Sequence, residues 1–298
     1  MTRTGHQFEL KTIVIATDFT HSGSCALGYA KRLAKLHKSK LVVVHAIDPA
    51  GYAFPVGMPE PTAADQNARE TLKEIEREIS HQGIPIHSVI ETGVIYERIL
   101  EAALDHQADL LVLGTRAIAK VGRAALGTVA RRLIAAAPCP ILTVPPTADD
   151  GFKLAGHWQN VLVATDFSEA SLAGLNHAQA IVGGQLIVVH VVDDATGESR
   201  EPHLERLRFL APFNESHTVP VEHVVTAGEA GRVIAEQADR MHADLVVLGA
   251  PTDELQDEDF ATSTVLQVIS NVRCPVLCVP STRKASVADV VNEFALSN

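Results

Sequence analysis

Ala108-Asp-Leu-Leu-Val-Leu-Gly114 is followed by the basic stretch Thr115-Arg-Ala-Ile-Ala-Lys-Val-Gly-Arg-Ala-Ala-Leu126 and then by Gly127-Thr-Val-Ala-Arg-Arg-Leu-Ile134. The first piece is apolar from Leu110 to Leu113 and reads as a buried strand, while the last reads as the start of a helix. A strand that passes through a glycine-containing basic loop into a helix N-terminus is a common anion cradle. Unpaired backbone N–H groups and the helix dipole converge there on one place. The same order of pieces, strand then helix, is the unit from which an α/β fold is wound.

Working outward, the unit is duplicated. Ala108–Gly114 recurs 135 residues later as Ala243-Asp-Leu-Val-Val-Leu-Gly249. Ile13-Val-Ile-Ala-Thr-Asp-Phe19 matches Val161-Leu-Val-Ala-Thr-Asp-Phe167, and Lys40-Leu-Val-Val-Val-His-Ala-Ile-Asp48 matches Gln185-Leu-Ile-Val-Val-His-Val-Val-Asp193. Ile84–Gly93 matches Val219–Gly228, and Cys139-Pro-Ile-Leu-Thr-Val-Pro145 matches Cys274-Pro-Val-Leu-Cys-Val-Pro280. A repeat of this length is a whole domain rather than a solenoid unit. Each half supplies five short runs that are apolar throughout, as strands of a parallel sheet covered on both faces must be. Between them lie helical patterns: Ala26–Leu36, with Ser22 or Ser24 as N-cap, then Ala68, Leu72, Ile75 and Ile79 closed by Gly83, then Ile95, Ile99, Ala102 and Ala103. The expected fold is α/β, two tandem doubly wound domains joined by right-handed crossovers. Their expected extents are residues 1–148 and 158–282, linked through Asp149–Gly156, with a tail at 283–298 where Val287, Val290, Val291 and Phe294 keep helical spacing.

Composition excludes several classes. Of 298 residues 46% are hydrophobic and 20% charged, which describes a globular chain rather than a disordered one. Met1–Leu10 has no apolar signal core and no apolar run approaches membrane-spanning length, so a cytoplasmic protein is expected. The net charge of −11 speaks against general nucleic-acid binding. It is unevenly spread: residues 1–150 hold 16 basic and 16 acidic side chains, residues 151–298 hold 9 and 20. Four cysteines in apolar contexts do not make a disulfide scaffold, and Cys274 with Cys278 reads as two buried small residues. Fourteen histidines are dispersed without a metal-binding helix pair, so no metal site is expected.

In an open parallel sheet, ligands bind beyond the carboxyl ends of the strands where the strand order reverses. Asp18 follows the first strand and Gly114 ends the fourth; if these strands are neighbours, both face one crevice that Gly127 and Thr128 close. With these residues and both halves in view, the chain resembles the tandem universal stress proteins over roughly residues 10–147 and 158–281. That family's nucleotide motif is Gly, two residues, Gly, nine residues, Gly, then Ser or Thr. Here it stands as Gly114, Ala117, Gly127, Thr128, with the spacing kept and one glycine replaced by alanine. The resemblance implies that Asp18 and the backbone of Ala46 contact the adenosine end of ATP, with or without magnesium. It implies that Gly114, Arg116, Ala117, Gly127, Thr128 and Val129 surround the phosphates. It further implies sheets in the order 3-2-1-4-5, paired fifth strands, and a homodimeric stress-response regulator acting through protein partners, with no nucleic acid and no membrane.

The second half departs from the motif. Its equivalents are Gly249, Thr252, Thr262 and Ser263, and residues 250–261 carry five acids and no base where residues 115–126 carry three bases and no acid. A charge reversal of this size disfavours phosphate binding there. The acidic segment fits a solvated surface, a divalent cation or a basic partner. The long Pro- and Gly-rich connection Pro49–Pro61 fits a lid or plain surface. His45 and His190 fit strand-end structural histidines better than catalysts, because no nucleophile keeps a fixed spacing to them. Asp18 fits a ribose or magnesium contact or a cap on the next helix, Asp166 a structural role, and Arg131 and Arg132 a solvated face. The leading expectation is a regulatory ATP-binding protein with at most slow hydrolysis, since no general base or second charged clamp accompanies the cradle. A nucleotide-free interaction scaffold is the alternative. An adenylating enzyme is disfavoured by the lack of a Ser-Gly-Gly-x-Asp-Ser loop and of a His-Ile-Gly-His signature.

Overall fold

The apolar runs do become strands, and one carboxylate fixes where each first strand begins. In the computed structural model, which describes residues 9–48, 63–115, 126–148, 158–193, 199–212, 219–250 and 263–281, Asp109 accepts the backbone N–H groups of Lys11 and Thr12 at 2.7 and 2.8 Å. Its repeat equivalent Asp244 accepts those of Gln159 and Asn160 at 2.7 and 3.1 Å. The first half runs β1 (Thr12–Ala16), α1 (His21–His37), β2 (Lys40–Ile47), α2 (Ala63–His81), β3 (Ile86–Thr92), α3 (Ile95–Asp105), β4 (Leu110–Gly114), α4 (Thr128–Ala136) and β5 (Ile141–Val144). The second runs β6 (Trp158–Ala164), α5 (Glu169–Ile181), β7 (Val182–Val192), α6 (Arg200–Leu210), β8 (Val221–Ala227), α7 (Ala230–Arg240), β9 (Leu245–Ala250), α8 (Thr264–Asn271) and β10 (Val276–Pro280).

Within each half the strands are parallel in the order 3-2-1-4-5, and the two halves join into one ten-stranded sheet, β3-β2-β1-β4-β5-β10-β9-β6-β7-β8. The joint is the one antiparallel pairing of the sheet, with Leu277 opposite Leu142 and Cys278 opposite Ile141. Thr143, fully buried at this seam, donates its hydroxyl to the Val276 carbonyl at 3.2 Å. A second tie is the stack of Tyr29 from α1 on Trp158 from β6, ring centroids 5.9 Å apart.

Side-chain alternation along the strands divides the core in two. Val14, Leu111, Leu113 and Ile141 pack against α3 and α4, while Ile13, Ile15, Leu110 and Val112 pack against α1 and α2. Both clusters continue into the second half, so each face of the joined sheet carries one apolar layer. Each fully buried aliphatic side chain contributes roughly 1.5–3 kcal/mol relative to exposure.

Two expectations need correction or limits. The N-cap of α1 is Thr20, not Ser22 or Ser24. The Thr20 hydroxyl accepts the Gly23 N–H at 3.4 Å, while Ser22 is buried inside the first turn. The helix starts earlier because the Asp18–Thr20 corner turns the chain before the first serine arrives. Gly83 does stand past α2 with φ +76°, a conformation that glycine adopts without cost. The 49–61 connection, the 149–156 linker, the acidic 251–261 segment and the 283–298 tail lie outside the described residues.

Candidate functional site

β1 pairs on one side with β2 and on the other with β4, so the strand order reverses at β1. Beyond its end the chain turns through Thr17-Asp18-Phe19. Phe19 takes the left-handed conformation, φ +59°, and Phe167 repeats it at φ +68°. For a non-glycine residue this costs on the order of 1 kcal/mol. The corner is held by its own hydrogen bonds: the Thr17 hydroxyl accepts the Phe19 N–H at 3.1 Å, and Asp18 Oδ1 accepts both the N–H and the hydroxyl of Thr20 at 3.1 and 2.6 Å. Asp18 thus caps the turn and also faces the crevice.

That crevice is a cavity of about 390 Å³, within the range of small-molecule sites. Asp18, Ala46, Gly114, Gly127, Thr128 and Val129 all line it, together with Ile95, Ile99 and Leu133 as an apolar wall. Six of the eight residues expected at the site therefore meet around one space. Arg116 and Ala117 lie outside the described residues. Asp18 is the one ionisable side chain among the described lining residues.

The two glycines have different reasons. A Cβ on Gly114 would lie 2.5 Å from the Ser22 carbonyl oxygen and 2.9 Å from the Gly23 nitrogen, so Gly114 is there to let α1 cross the strand end. Gly249 meets the backbone of Ala170 and Ser171 in the same way. Close packing of helix on strand is thus one reason for glycine at position 114, which also lines the cavity. A Cβ on Gly127 would meet nothing within 4 Å, and its φ of −67° suits any residue. The space beside Gly127 belongs to the cavity, and α4 begins there without a side-chain cap. Among the described residues no side chain caps its first N–H groups.

The second half closes the same feature. Ser263, the repeat equivalent of Thr128, caps α8 by accepting the Leu266 N–H at 3.4 Å. Asp166 repeats Asp18, with Oδ1 accepting the N–H and hydroxyl of Ser168 at 2.9 and 2.6 Å. Burial pushes the Asp166 carboxyl up, but the Ser168 hydroxyl and N–H outweigh it and leave the carboxyl below its ordinary range.

The remaining candidates are occupied elsewhere. Arg131 Nε–H donates to the Leu126 carbonyl at 3.2 Å, and Arg132 lies over the Tyr96 ring at 4.7 Å, so neither simply faces solvent and neither lines the cavity. His45 Nδ1–H donates to the Thr17 carbonyl at 2.8 Å and His190 Nδ1–H to that of Thr165 at 2.7 Å. With a carbonyl as partner the ring nitrogen must carry the proton. All four cysteines are free. Burial pushes the thiols of Cys139, Cys274 and Cys278 up to about 12, which makes them unreactive. Among the described residues no group of three His, Cys, Asp or Glu could hold a metal. No described helix is long and apolar enough to cross a membrane.

Sequence reasoning missed Asp109 and Asp244, although their recurrence in the repeated Ala-Asp-Leu unit was a visible signal. It also missed the cavity's apolar wall on α3, whose Ile95 and Ile99 read only as core positions.

Two doubly wound domains sharing one sheet, with a crevice at the strand-order reversal of the first, define a tandem α/β protein. The chain belongs to the universal stress protein family, whose sequence profile matches residues 9–145 and 157–280. It is 35% identical to a universal stress protein of Thermus aquaticus over 138 residues, 45% of this chain and 98% of that one. A universal stress protein of Methanocaldococcus jannaschii is 30% identical over 141 residues, 45% of this chain and 81% of that one. The crystal structure of a universal stress protein from Archaeoglobus fulgidus covers 93% of this chain and 99% of its own, with a TM-score of 0.72 at 18% identity, a likeness of fold.

Proposed function

We propose that the first domain binds ATP in the Asp18–Thr128 cavity and that the protein is a stress-response regulator acting through this bound nucleotide. The observation that carries the reading is the start of α4 at Gly127, which no side chain caps among the described residues, opening into a cavity that Asp18 also lines. Backbone N–H groups at a helix start suit phosphate oxygens, the apolar wall of Ile95, Ile99 and Leu133 suits a base, and a carboxylate suits ribose hydroxyls. Residues 115–126, which precede α4 in the sequence, carry three positive charges and no acid, a balance that suits phosphate. The residues present fit the ligand, and a magnesium ion would travel with its phosphates. Among the described lining residues Asp18 is the sole ionisable group, and its Oδ1 already accepts the N–H and hydroxyl of Thr20, which supports slow hydrolysis at most. In the second domain the Ser263 cap and the five acids of residues 250–261 oppose phosphate, so the stoichiometry is one nucleotide per chain.

Titration calorimetry of the full chain with magnesium-ATP tests this. One site per chain is expected, abolished by Gly127→Glu, which fills the open space with a carboxylate, and unchanged by Thr262→Glu at the equivalent position. No heat from the wild type, or equal loss from both variants, would overturn the asymmetric reading.

A further inference from the structure

The corner that presents Asp18 is gripped from behind by a side chain that does not line the cavity. Along β2, Ala46 lines the cavity, while His45 turns to the corner. His45 makes two contacts there, one on each side of Asp18. Its Nδ1–H donates to the Thr17 carbonyl at 2.8 Å, and its ring meets the Phe19 ring with centroids 4.4 Å apart and planes tilted by 33°. Phe19 is the residue held at positive φ, and its N–H is tied to the Thr17 hydroxyl. The peptide before Asp18 and the residue after it are therefore both fixed by one imidazole.

We propose that His45 is the positioning residue for Asp18, holding its carboxylate at the cavity wall through the Thr17 carbonyl and the Phe19 ring. This rests on the nucleotide reading above and adds to it the group that preorganises the ribose contact. Preorganisation matters because a carboxylate on a free corner would lose conformational freedom when the ligand arrives, and that loss subtracts from affinity. The hydrogen bond needs only a ring N–H, which neutral and protonated imidazole both supply at Nδ1, so this grip does not depend on the charge of His45.

The second half supplies an internal control. His190 makes the same grip on Thr165 at 2.7 Å and on Phe167 at 4.4 Å, with Phe167 again at positive φ. There, however, the carboxylate belongs to the domain whose helix start is capped by its own serine. The grip is thus a fold device in both halves and a ligand device in the first alone.

The experiment uses the full chain and magnesium-ATP. His45→Phe keeps a ring of similar size against Phe19 and removes the donor, and His190→Phe does the same in the other half. His45→Phe should weaken ATP binding about tenfold, the factor that corresponds to one lost hydrogen bond of roughly 1.4 kcal/mol. His190→Phe should leave affinity unchanged while lowering the thermal midpoint as much as His45→Phe does. Asp18→Asn should weaken binding, and the double variant His45→Phe with Asp18→Asn should bind no more weakly than Asp18→Asn alone, since His45 acts through Asp18. If the wild type binds but His45→Phe binds equally well, or if the two losses multiply in the double variant, the positioning role is wrong and the nucleotide reading survives. If the wild type itself does not bind, the nucleotide reading falls and takes this role with it.

Discussion

Gly114 lies so close beneath the Ser22 carbonyl that a Cβ there would sit 2.5 Å from the oxygen. The contact is backbone against backbone, so no side chain can swing away to relieve it. Gly114→Ala should therefore destabilise the chain by about 1–3 kcal/mol, the usual cost of overpacking, and Gly249→Ala should do the same through Ser171. Gly127→Ala meets open space and loses only the preference for glycine at a helix cap, under about 1 kcal/mol. Urea unfolding of the three variants checks this ordering. Equal losses at positions 114 and 127 would show that the distinction between packing glycine and cavity glycine is wrong.

A second relationship governs the opposite end of the sheet. Asp109 gathers the N–H groups of Lys11 and Thr12 and so ties the first residues of β1 to the start of β4. Replacing it by alanine leaves the partly buried Thr12 N–H without that acceptor. A charge-assisted hydrogen bond of this kind is worth about 1.5–3 kcal/mol when buried and less where water can substitute. Asp109→Ala should cost about 1–2 kcal/mol in urea unfolding while leaving magnesium-ATP affinity unchanged, since it stands at the far end of the strands from the cavity. A loss of affinity larger than the loss of stability would contradict this placement.

How far the molecule was legible in its sequence depends on what kind of signal each feature leaves. The inner strands were legible because a fully buried parallel strand is apolar at nearly every position, and Leu110–Leu113 or Val161–Val163 can be little else. The edge strands β3 and β8, with His87, Glu91, Glu222 and His223, were legible chiefly through their repeat. The strand order within each half followed from the family resemblance. The cavity was legible through Gly127 and Thr128, whose spacing from Gly114 survives in the first half. The reason for Gly114 was not, because a glycine required by a crossing helix and a glycine required by a ligand look the same in one sequence. The cap of α1 was misread for a related reason. Thr20, Ser22 and Ser24 are all competent N-caps, and what selects Thr20 is the Asp18 corner, which brings the chain into helical register two residues early. The division of labour between Arg131, on the Leu126 carbonyl, and Arg132, on Tyr96, depends on where α3 docks and leaves no local trace.

Thiol chemistry offers a sharp check on burial. Cys25 is half-exposed, with its sulfur 3.8 Å from His21 Nε2. The other three thiols are pushed up to about 12 by burial. An aromatic disulfide reagent at neutral pH should therefore label one of the four cysteines in the native protein and all of them in denaturant. The labelled residue should be Cys25, identified by peptide mass mapping. Rapid native labelling of Cys278 would mean that the seam between the halves opens, since Cys278 lies in β10 opposite Ile141.

The second half should also answer to pH through its histidine pair. His190 stacks on His203 with centroids 4.7 Å apart, and Arg206 lies 4.0 Å over the neighbouring Phe167 ring. Burial lowers the His190 pKa most. The Thr165 carbonyl and Asp166 oppose that, while His203 and Arg206 reinforce it, and the net position is below the ordinary 6.5. A histidine whose folded pKa is depressed binds its proton more readily when the chain is unfolded, so stability rises with pH in the window between the two values. The contribution is fully present above about pH 6.5 and is lost as pH falls from there through the folded value. His106, lowered by burial and then by Lys40 and His87, against the pull of Asp105 and Glu91, works in the same sense. The free energy of unfolding, and the thermal midpoint with it, should therefore drop on going from about pH 7.5 to about pH 5, the free energy with a slope of at most about 1.4 kcal/mol per pH unit for each proton taken up. His190→Phe should flatten the curve without abolishing it, because His106 remains. Curves that stay parallel for the wild type and His190→Phe would mean that His190 carries no proton-linked stability.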